Sequence, residues 1–284
     1  MKVNDMKTGI SFGNFGTSLT DSEIMVAIKA AGFDTFFSGA NCDKKKIAEL
    51  KDCAVRVGLE YESHHAPFGG INCIWKEGDE GELYTQRLCH VAEICAKNEI
   101  GYFTLHCMNV PRYNVNVTEP MQLSEIGIGR FRRIVEAAEK YGVKACFENV
   151  EYPHFELNAL LTTLRKEGYR SLGFTWDIGH EHCYPAPFDV AEAFGDLMVG
   201  THIHDNLGQK DPHTVTWDDD LHLLPFEGDI NYAEVASRLK KAKYQGSITL
   251  EVFKKSNEPQ SEMTLEEYLC EAHERAERIA MLCQ

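Results

Sequence analysis

The chain has 284 residues, long for one average domain yet within reach of a single large α/β one. With 43% hydrophobic and 26% charged residues it can fill a core and hydrate a surface, and no window approaches the roughly 20 apolar residues of a membrane span. A formal net charge of −15 argues against broad nonspecific nucleic-acid binding, which relies on Lys and Arg to neutralise phosphates.

Strand-like and helical segments alternate from end to end. The run Thr8–Phe15 leads to a helix over Asp21–Ala31, with Thr20 or Asp21 as its cap and Glu23 in the first turn. Thr35–Ser38 precedes a helix over Asp43–Val57, where Ile47, Leu50, Ala54 and Val57 share one stripe. Lys44–Lys46 reads as its solvated first turn. Then come Leu59–His64 with a helix at Glu82–Asn98, Tyr102–Cys107 with Ser124–Tyr141, and Lys144–Val150 with Asn158–Glu167. Leu172–Asp177 with a short helix at Asp189–Phe194, Val199–His204 with Asn231–Lys243, and Ser247–Phe253 with Thr264–Cys283 complete the series. Glycine precedes many strands, as in AGFDT, VGLEY, IGYFT and YGVKA, which suits a helix C-terminus before the chain turns back.

Eight strands in strict alternation with helices imply a parallel sheet with right-handed crossovers. No G-x-G-x-x-G follows the first strand, and candidate ligands end most strands rather than one switch point. The expected fold is therefore a single (β/α)8 TIM barrel spanning residues 1–284. The N-terminus MKVNDMKTGISFG has no long apolar stretch, and the ten cysteines form no C-x-x-C pair. Reduced packing cysteines in a cytoplasmic protein are the expectation.

Barrel chemistry gathers at the C-terminal ends of strands. There the chain places His65, His106, Glu148, Asp177, His180, His202, Asp220, His222 and Glu251. Glu148, Asp177, His202 and Glu251 fall at the ends of the fifth to eighth strands, adjacent in barrel order. Converging carboxylates with few basic neighbours repel one another unless a cation lies between them. Two Glu, one Asp and one His suit Mn²⁺, Co²⁺, Mg²⁺ or Zn²⁺. The other five supply ligands for a second and a third ion, with Glu148 able to bridge, so one to three divalent metal ions are expected.

Three long segments follow strands and would cover the same face: Ala66–Glu80, Asn109–Pro120 and Asn206–Asp229. They carry Phe68, Trp75, Tyr113, Trp217 and Phe226, aromatics available to wall a pocket, together with Arg112 and Lys210. Phe68, Trp217, Lys210 and His180 are the candidate substrate contacts. Cys107 and Cys183 adjoin candidate ligands but read as packing residues. The charges of the C-terminal helix read as a solvated face or an oligomer contact.

The motifs FEN at Glu148, WDIGH at 176–180, HIHDN at 202–206, D-x-H followed by PFEGDI at 220–230, and GSITLEVF at 246–253 resemble the xylose-isomerase-like TIM-barrel superfamily over nearly the whole chain. That superfamily contains sugar and sugar-phosphate isomerases and epimerases, and also zinc-dependent apurinic/apyrimidinic endonucleases. The first branch implies one divalent ion on Glu148, Asp177, His202 and Glu251. It polarises a ketose carbonyl and stabilises an enediolate while the two glutamates exchange the proton as catalytic acid and base. His180 would contact a substrate hydroxyl. The second branch implies a three-zinc cluster on all nine positions, attacking a phosphodiester. The chain departs from ketose epimerases in having Asn206, Gly208 and Lys210, but no arginine, beyond the seventh strand. A polyol (inosose-like) dehydratase therefore stands as a further alternative, and so does a silent barrel that only binds metal or sugar. The favoured expectation is a sugar or sugar-phosphate isomerase or epimerase. The acidic loop Gln209–Asp220 makes a nucleic-acid partner the less favoured one.

Overall fold

The computed structural model describes residues 6–40, 43–109, 113–114, 123–150, 154–212, 214–254 and 259–284. Eight parallel strands form its centre: β1 (Thr8–Ser11), β2 (Thr35–Ser38), β3 (Glu60–His65), β4 (Tyr102–Leu105), β5 (Lys144–Glu148), β6 (Leu172–Asp177), β7 (Met198–His202) and β8 (Ile248–Leu250). They pair in the order β8-β1-β2-β3-β4-β5-β6-β7. The ring closes between its two ends: Ile203 bridges Leu250 in parallel, Ile203 N–H donates to Thr249 O (2.9 Å), and Glu251 N–H donates to Ile203 O (2.9 Å). This is the (β/α)8 barrel expected from the alternation.

The surrounding helices are α1 (Asp21–Ala31), α2 (Lys44–Val57), α3 (Asp79–Lys97), α4 (Glu125–Tyr141), α5 (His154–Lys166), α6 (Ile178–Cys183), α7 (Val190–Phe194), α8 (Tyr232–Lys241) and α9 (Leu265–Leu282). Their starts follow local chemistry. Thr20 and Glu23 form a capping box on α1, Thr264 and Glu267 another on α9, and Asp43 and Ser124 cap α2 and α4. The apolar stripe of α2 buries Ile47, Leu50 and Ala54 against the barrel. Among the described residues no helix is long and apolar enough to cross a membrane.

Two features depart from the expected elements. A 3-10 turn, Ile71–Trp75, folds the segment after β3. Arg130 of α4 fixes that segment by donating to the carbonyls of Ile74 (3.0 Å), Lys76 (2.6 Å) and Gly78 (3.0 Å). The second is α6, which begins directly after β6 because the Asp177 carboxylate accepts the His180 N–H at 2.6 Å. One side chain thus caps a helix and faces the barrel mouth. A register shift in the β2–β3 pairing pairs Phe36 with Tyr61 but Phe37 with Ser63. After it, His65 faces the mouth, and His64 is enclosed beside Ser38 (3.2 Å) and Tyr61 (3.4 Å).

Candidate metal centre

All nine residues expected at the mouth meet there, in three groups, two of which share Glu148. Glu148, Asp177, His202 and Glu251 form the first; His65, His106 and Glu148 the second; His180, His204, Asp220 and His222 the third. Glu148 belongs to two. Its Oε1 lies 2.6 Å from His202 Nδ1, and its Oε2 lies 3.1 Å from His65 Nε2 and 3.2 Å from His106 Nε2. Glu251 Oε2 approaches the same His202 Nδ1 at 3.2 Å. In the third group Asp220 Oδ2 lies 3.3 Å from His180 Nε2 and 3.0 Å from His222 Nε2.

The residues fit divalent cations, and the hydrogen bonds behind the rings show why. His65 Nδ1 faces Ala66 O (2.7 Å), His180 Nδ1 faces Asn149 O (3.1 Å), and His222 Nδ1 faces Glu251 O (2.8 Å). A carbonyl only accepts, so each Nδ1 carries the proton and each Nε2 turns a lone pair toward the cluster. His106 Nδ1 faces Asn109 Oδ1 (2.7 Å), and that amide is oriented by its own Nδ2–H donating to Phe68 O (3.1 Å). Four histidines on four segments therefore have Nε2 preset as a ligand by an acceptor on the far side of the ring, the arrangement that orients metal-binding imidazoles. Asp177 Oδ2 and Asp220 Oδ1 are buried there without a hydrogen-bond partner, a costly arrangement unless a ligand satisfies them.

Electrostatics point the same way. Burial disfavours the charged form of Glu148, yet His202, His106 and His65 outweigh it and hold the carboxyl well below the usual range. Burial likewise opposes ionisation of Glu251 and Asp220; His202 reverses it for Glu251, and His180 and His222 for Asp220. His202 is held well above its ordinary value against its own burial, chiefly by Glu251 and Glu148, and His180 by Asp177 and Asp220. His222 is raised too, by Asp220. In the metal-free protein these protons do the work of cations among crowded carboxylates.

The clusters lie at the base of a cavity of about 490 Å³. Phe12, Phe37, Phe68, Trp217 and Phe253 wall it, and no Lys or Arg lines it among the described residues. Phe37 stacks on His202 (ring centroids 4.4 Å apart) and Phe68 on His106 (4.7 Å), so two of these rings also hold ligands in place. His222 sits in the left-handed backbone region (φ 49°), a strained state for a non-glycine residue of the kind that clusters at functional sites.

Of the expected pocket aromatics, Phe68 and Trp217 line this cavity, and Trp75 and Phe226 do not. Trp75 is buried against Phe131 and donates Nε1–H to Cys107 O (2.8 Å); Phe226 packs on Tyr232 and under Arg278. Both cap the protein's own core. Lys210 is outside the cavity lining, with Nζ 3.5 Å from Asp219 Oδ1 and 3.3 Å from Asp218 O. Arg112 and the Tyr113 side chain lie outside the described residues. Sequence reasoning passed over Phe12, Phe37 and Phe253, although each is at or just beyond the C-terminal end of a barrel strand.

It also assigned no role to the polar residues that hold the ligands. Asp205 is buried in the HIHDN motif. Its Oδ1 accepts the N–H of Asn206 (2.9 Å) and Ile230 (3.2 Å), and its Oδ2 accepts that of Phe226 (2.8 Å). It thereby staples both ends of the loop that carries Trp217, Asp220 and His222. Gly228 is required where that loop returns, since a Cβ there would meet Asn206 O at 2.2 Å and Asp205 Oδ1 at 2.4 Å.

The family profile of the xylose isomerase-like TIM barrel matches residues 25–272, and the chain belongs to that family. An uncharacterized protein of Methanocaldococcus jannaschii, MJ1311, is 29% identical over 281 residues, covering 94% of this chain and 90% of its own. The crystal structure of a D-tagatose 3-epimerase-like protein superposes with a TM-score of 0.74 at 24% identity, covering 98% of both chains. The IolI protein with a bound zinc atom superposes with a TM-score of 0.73 at 17% identity, covering 97% of this chain and 98% of that one. At these identities the solved structures attest the fold.

Proposed function

We propose that the protein is a divalent-metal-dependent isomerase or epimerase acting on a small sugar. The observation that carries this reading is the Glu148–Asp177–His202–Glu251 cluster at the floor of an aromatic-walled cavity, with the Glu251 carboxylate reaching the opening. Those four residues would hold the ion, of the Mn²⁺, Co²⁺, Mg²⁺ or Zn²⁺ class. A bound ion supplies Lewis-acid polarisation of a carbonyl.

The chain's own residues do the rest. Glu251 takes the proton from the carbon beside the carbonyl; its side chain is 13% exposed, against 1% for Glu148, so it is the carboxylate a substrate meets first. In an epimerase Glu148, reaching the same His202 nitrogen from a different strand, takes up a proton from solvent and gives it to the opposite face of the carbon, while Glu251 releases the proton it took to solvent. Trp217, Phe253 and Phe12 offer flat faces on which a sugar ring stacks, and they exclude water. The absence of Lys and Arg from the described lining favours an uncharged sugar over its phosphate. D-Tagatose 3-epimerase-like and zinc-bound IolI proteins on the same fold support this reading by analogy only.

A second reading, a multinuclear metal-dependent phosphoesterase, is favoured by one observation: Glu148 divides its oxygens between two ligand groups, as a bridging carboxylate does. One experiment separates them. Protein loaded with Mn²⁺ or Zn²⁺ is incubated with a panel of ketoses and keto-glycosides in deuterated buffer, and in parallel with abasic duplex DNA and small phosphodiesters. Solvent deuterium entering the carbon next to a carbonyl supports the isomerase. Phosphodiester cleavage without exchange replaces it with the second reading.

A further inference from the structure

His204 sits in the third group, yet its hydrogen bonds set it apart from every ligand around it. Asn206 orients it. The Asn206 Oδ1 accepts the backbone N–H of Leu221, and its Nδ2 donates to Gly179 O (3.2 Å). Both partners force the same amide orientation, because an N–H cannot accept and a carbonyl cannot donate. The Nδ2 lies 3.1 Å from His204 Nδ1, which must therefore be the bare, accepting nitrogen. The ring's proton is then on Nε2, the reverse of His65, His106, His180 and His222. That Nε2 is buried and lies 3.1 Å from Asp177 Oδ1, but the approach is too bent for a hydrogen bond and the atom has no other hydrogen-bond partner.

One further observation sets His204 apart from His222 within the third group. Its ring stacks on His222 at 3.8 Å between centroids and 20° between planes. A metal lies near the plane of each imidazole that binds it, and two nearly parallel planes so spaced cannot share one tetrahedral ion. The place of the His204 ring is reserved by Gly179, where a Cβ would come within 2.1 Å of His204 Cε1.

We infer that His204 is a positioning residue for Asp177: its Nε2–H faces Asp177 Oδ1 and closes a hydrogen bond to it when the four-ligand cluster is filled, keeping Oδ2 turned to that cluster and linking the ligand, through Asn206, to the loop bearing Asp220 and His222. Asp177 Oδ1 already accepts the His180 N–H (2.6 Å), whereas Oδ2, 3.4 Å from His180 Nδ1, makes no hydrogen bond and is left for metal. This inference rests on the metal-binding reading above.

The test has a metal-free arm and a metal arm. Long-range proton–nitrogen NMR of the full chain labelled with ¹⁵N-histidine, stripped of metal and at alkaline pH, reads each ring's tautomer; the His204 signals are those lost in His204→Gln. The expected result is protonation at Nε2 for His204 and at Nδ1 for His65, His106, His180 and His222. Protonation of His204 at Nδ1 overturns the inference, whether or not the protein binds metal. Chelator competition with Mn²⁺ follows. His204→Leu is expected to weaken the four-ligand site about 10- to 100-fold, as loss of an outer-shell partner does, and His204→Gln, which keeps an N–H donor, to restore most of it. Unchanged affinity there in His204→Leu, or loss instead of an ion from the third group in both variants, overturns it. Wild-type protein that binds no divalent ion would sink the proposed function and leave the NMR result to decide the tautomer.

Discussion

Replacing Glu148 by Gln tests whether one carboxylate serves two ions. Its Oε1 faces His202 and its Oε2 faces His65 and His106, and the side chain is 1% exposed, so no other described carboxylate replaces it in the His65–His106 group. Gln has the same shape but lacks the charge, so the variant weakens two groups together, whereas Asp220→Ala empties only the third. An ion present at about 100 times its Kd stabilises the folded state by about 2.7 kcal/mol. At ~2–4 °C of Tm per kcal/mol, two ions lost together remove about 10–20 °C of the metal-induced rise. The assay is scanning calorimetry of chelator-stripped wild type, Glu148→Gln and Asp220→Ala, each with and without Zn²⁺ or Mn²⁺, with metal content by mass spectrometry. A metal-induced rise in Glu148→Gln as large as in wild type, or no larger a loss than in Asp220→Ala, refutes the shared-ligand geometry.

Glu251→Gln, assayed at metal concentrations high enough to refill its weakened site, is expected to lose solvent deuterium exchange by about 10²–10⁴-fold, since an amide cannot accept the proton; wild-type exchange in the variant removes Glu251 from that role. The metal-free protein is expected to lose stability as pH rises from neutral. His202, His180 and His222 are raised in the folded state, so their contribution is full below the unfolded value and disappears as pH climbs through the folded ones. The depressed Glu148 and Asp220 act oppositely, losing their contribution only in strong acid. A metal-free Tm that is flat or rising from about pH 6.5 to 9 contradicts this. Asp205→Ala orphans three backbone N–H groups at about 1–3 kcal/mol each, so a loss of at least about 3 kcal/mol is expected in urea unfolding, together with the Asp220–His222 site. Wild-type stability in that variant shows that the loop is held by other contacts.

Much of the fold was legible because its signals are local. Alternating apolar runs, the Thr20–Glu23 and Thr264–Glu267 caps, and glycines at helix ends each act within a few residues, and they fixed the order of strands and helices. Strand lengths were overestimated at the C-terminal ends, as with Thr8–Phe15 against Thr8–Ser11, because the apolar run continues past the last ladder bond into a turn, where Phe15 takes a left-handed backbone (φ 49°). The short helix Ile178–Cys183 was passed over because its cap, Asp177, looked only like a ligand. Aromatic residues in long loops could not be sorted by sequence: Trp75 and Trp217 have the same composition cues, and only packing sends one into the core and the other to the cavity.

The sequence by itself determined the kind of residue at each strand end, and with it the chemistry: nine His, Asp and Glu side chains at the rim of a barrel. Tertiary structure decided what each does. The flip of a histidine tautomer depends on whether a carbonyl or an amide N–H lies behind the ring, and those partners come from segments distant in sequence, such as Glu251 O behind His222. The division of Glu148 between two groups depends on barrel closure, which brings His65, His106 and His202 from three different strands to one carboxylate. A residue's type is written locally, whereas the direction of its lone pair is set by neighbours that only the folded chain assembles.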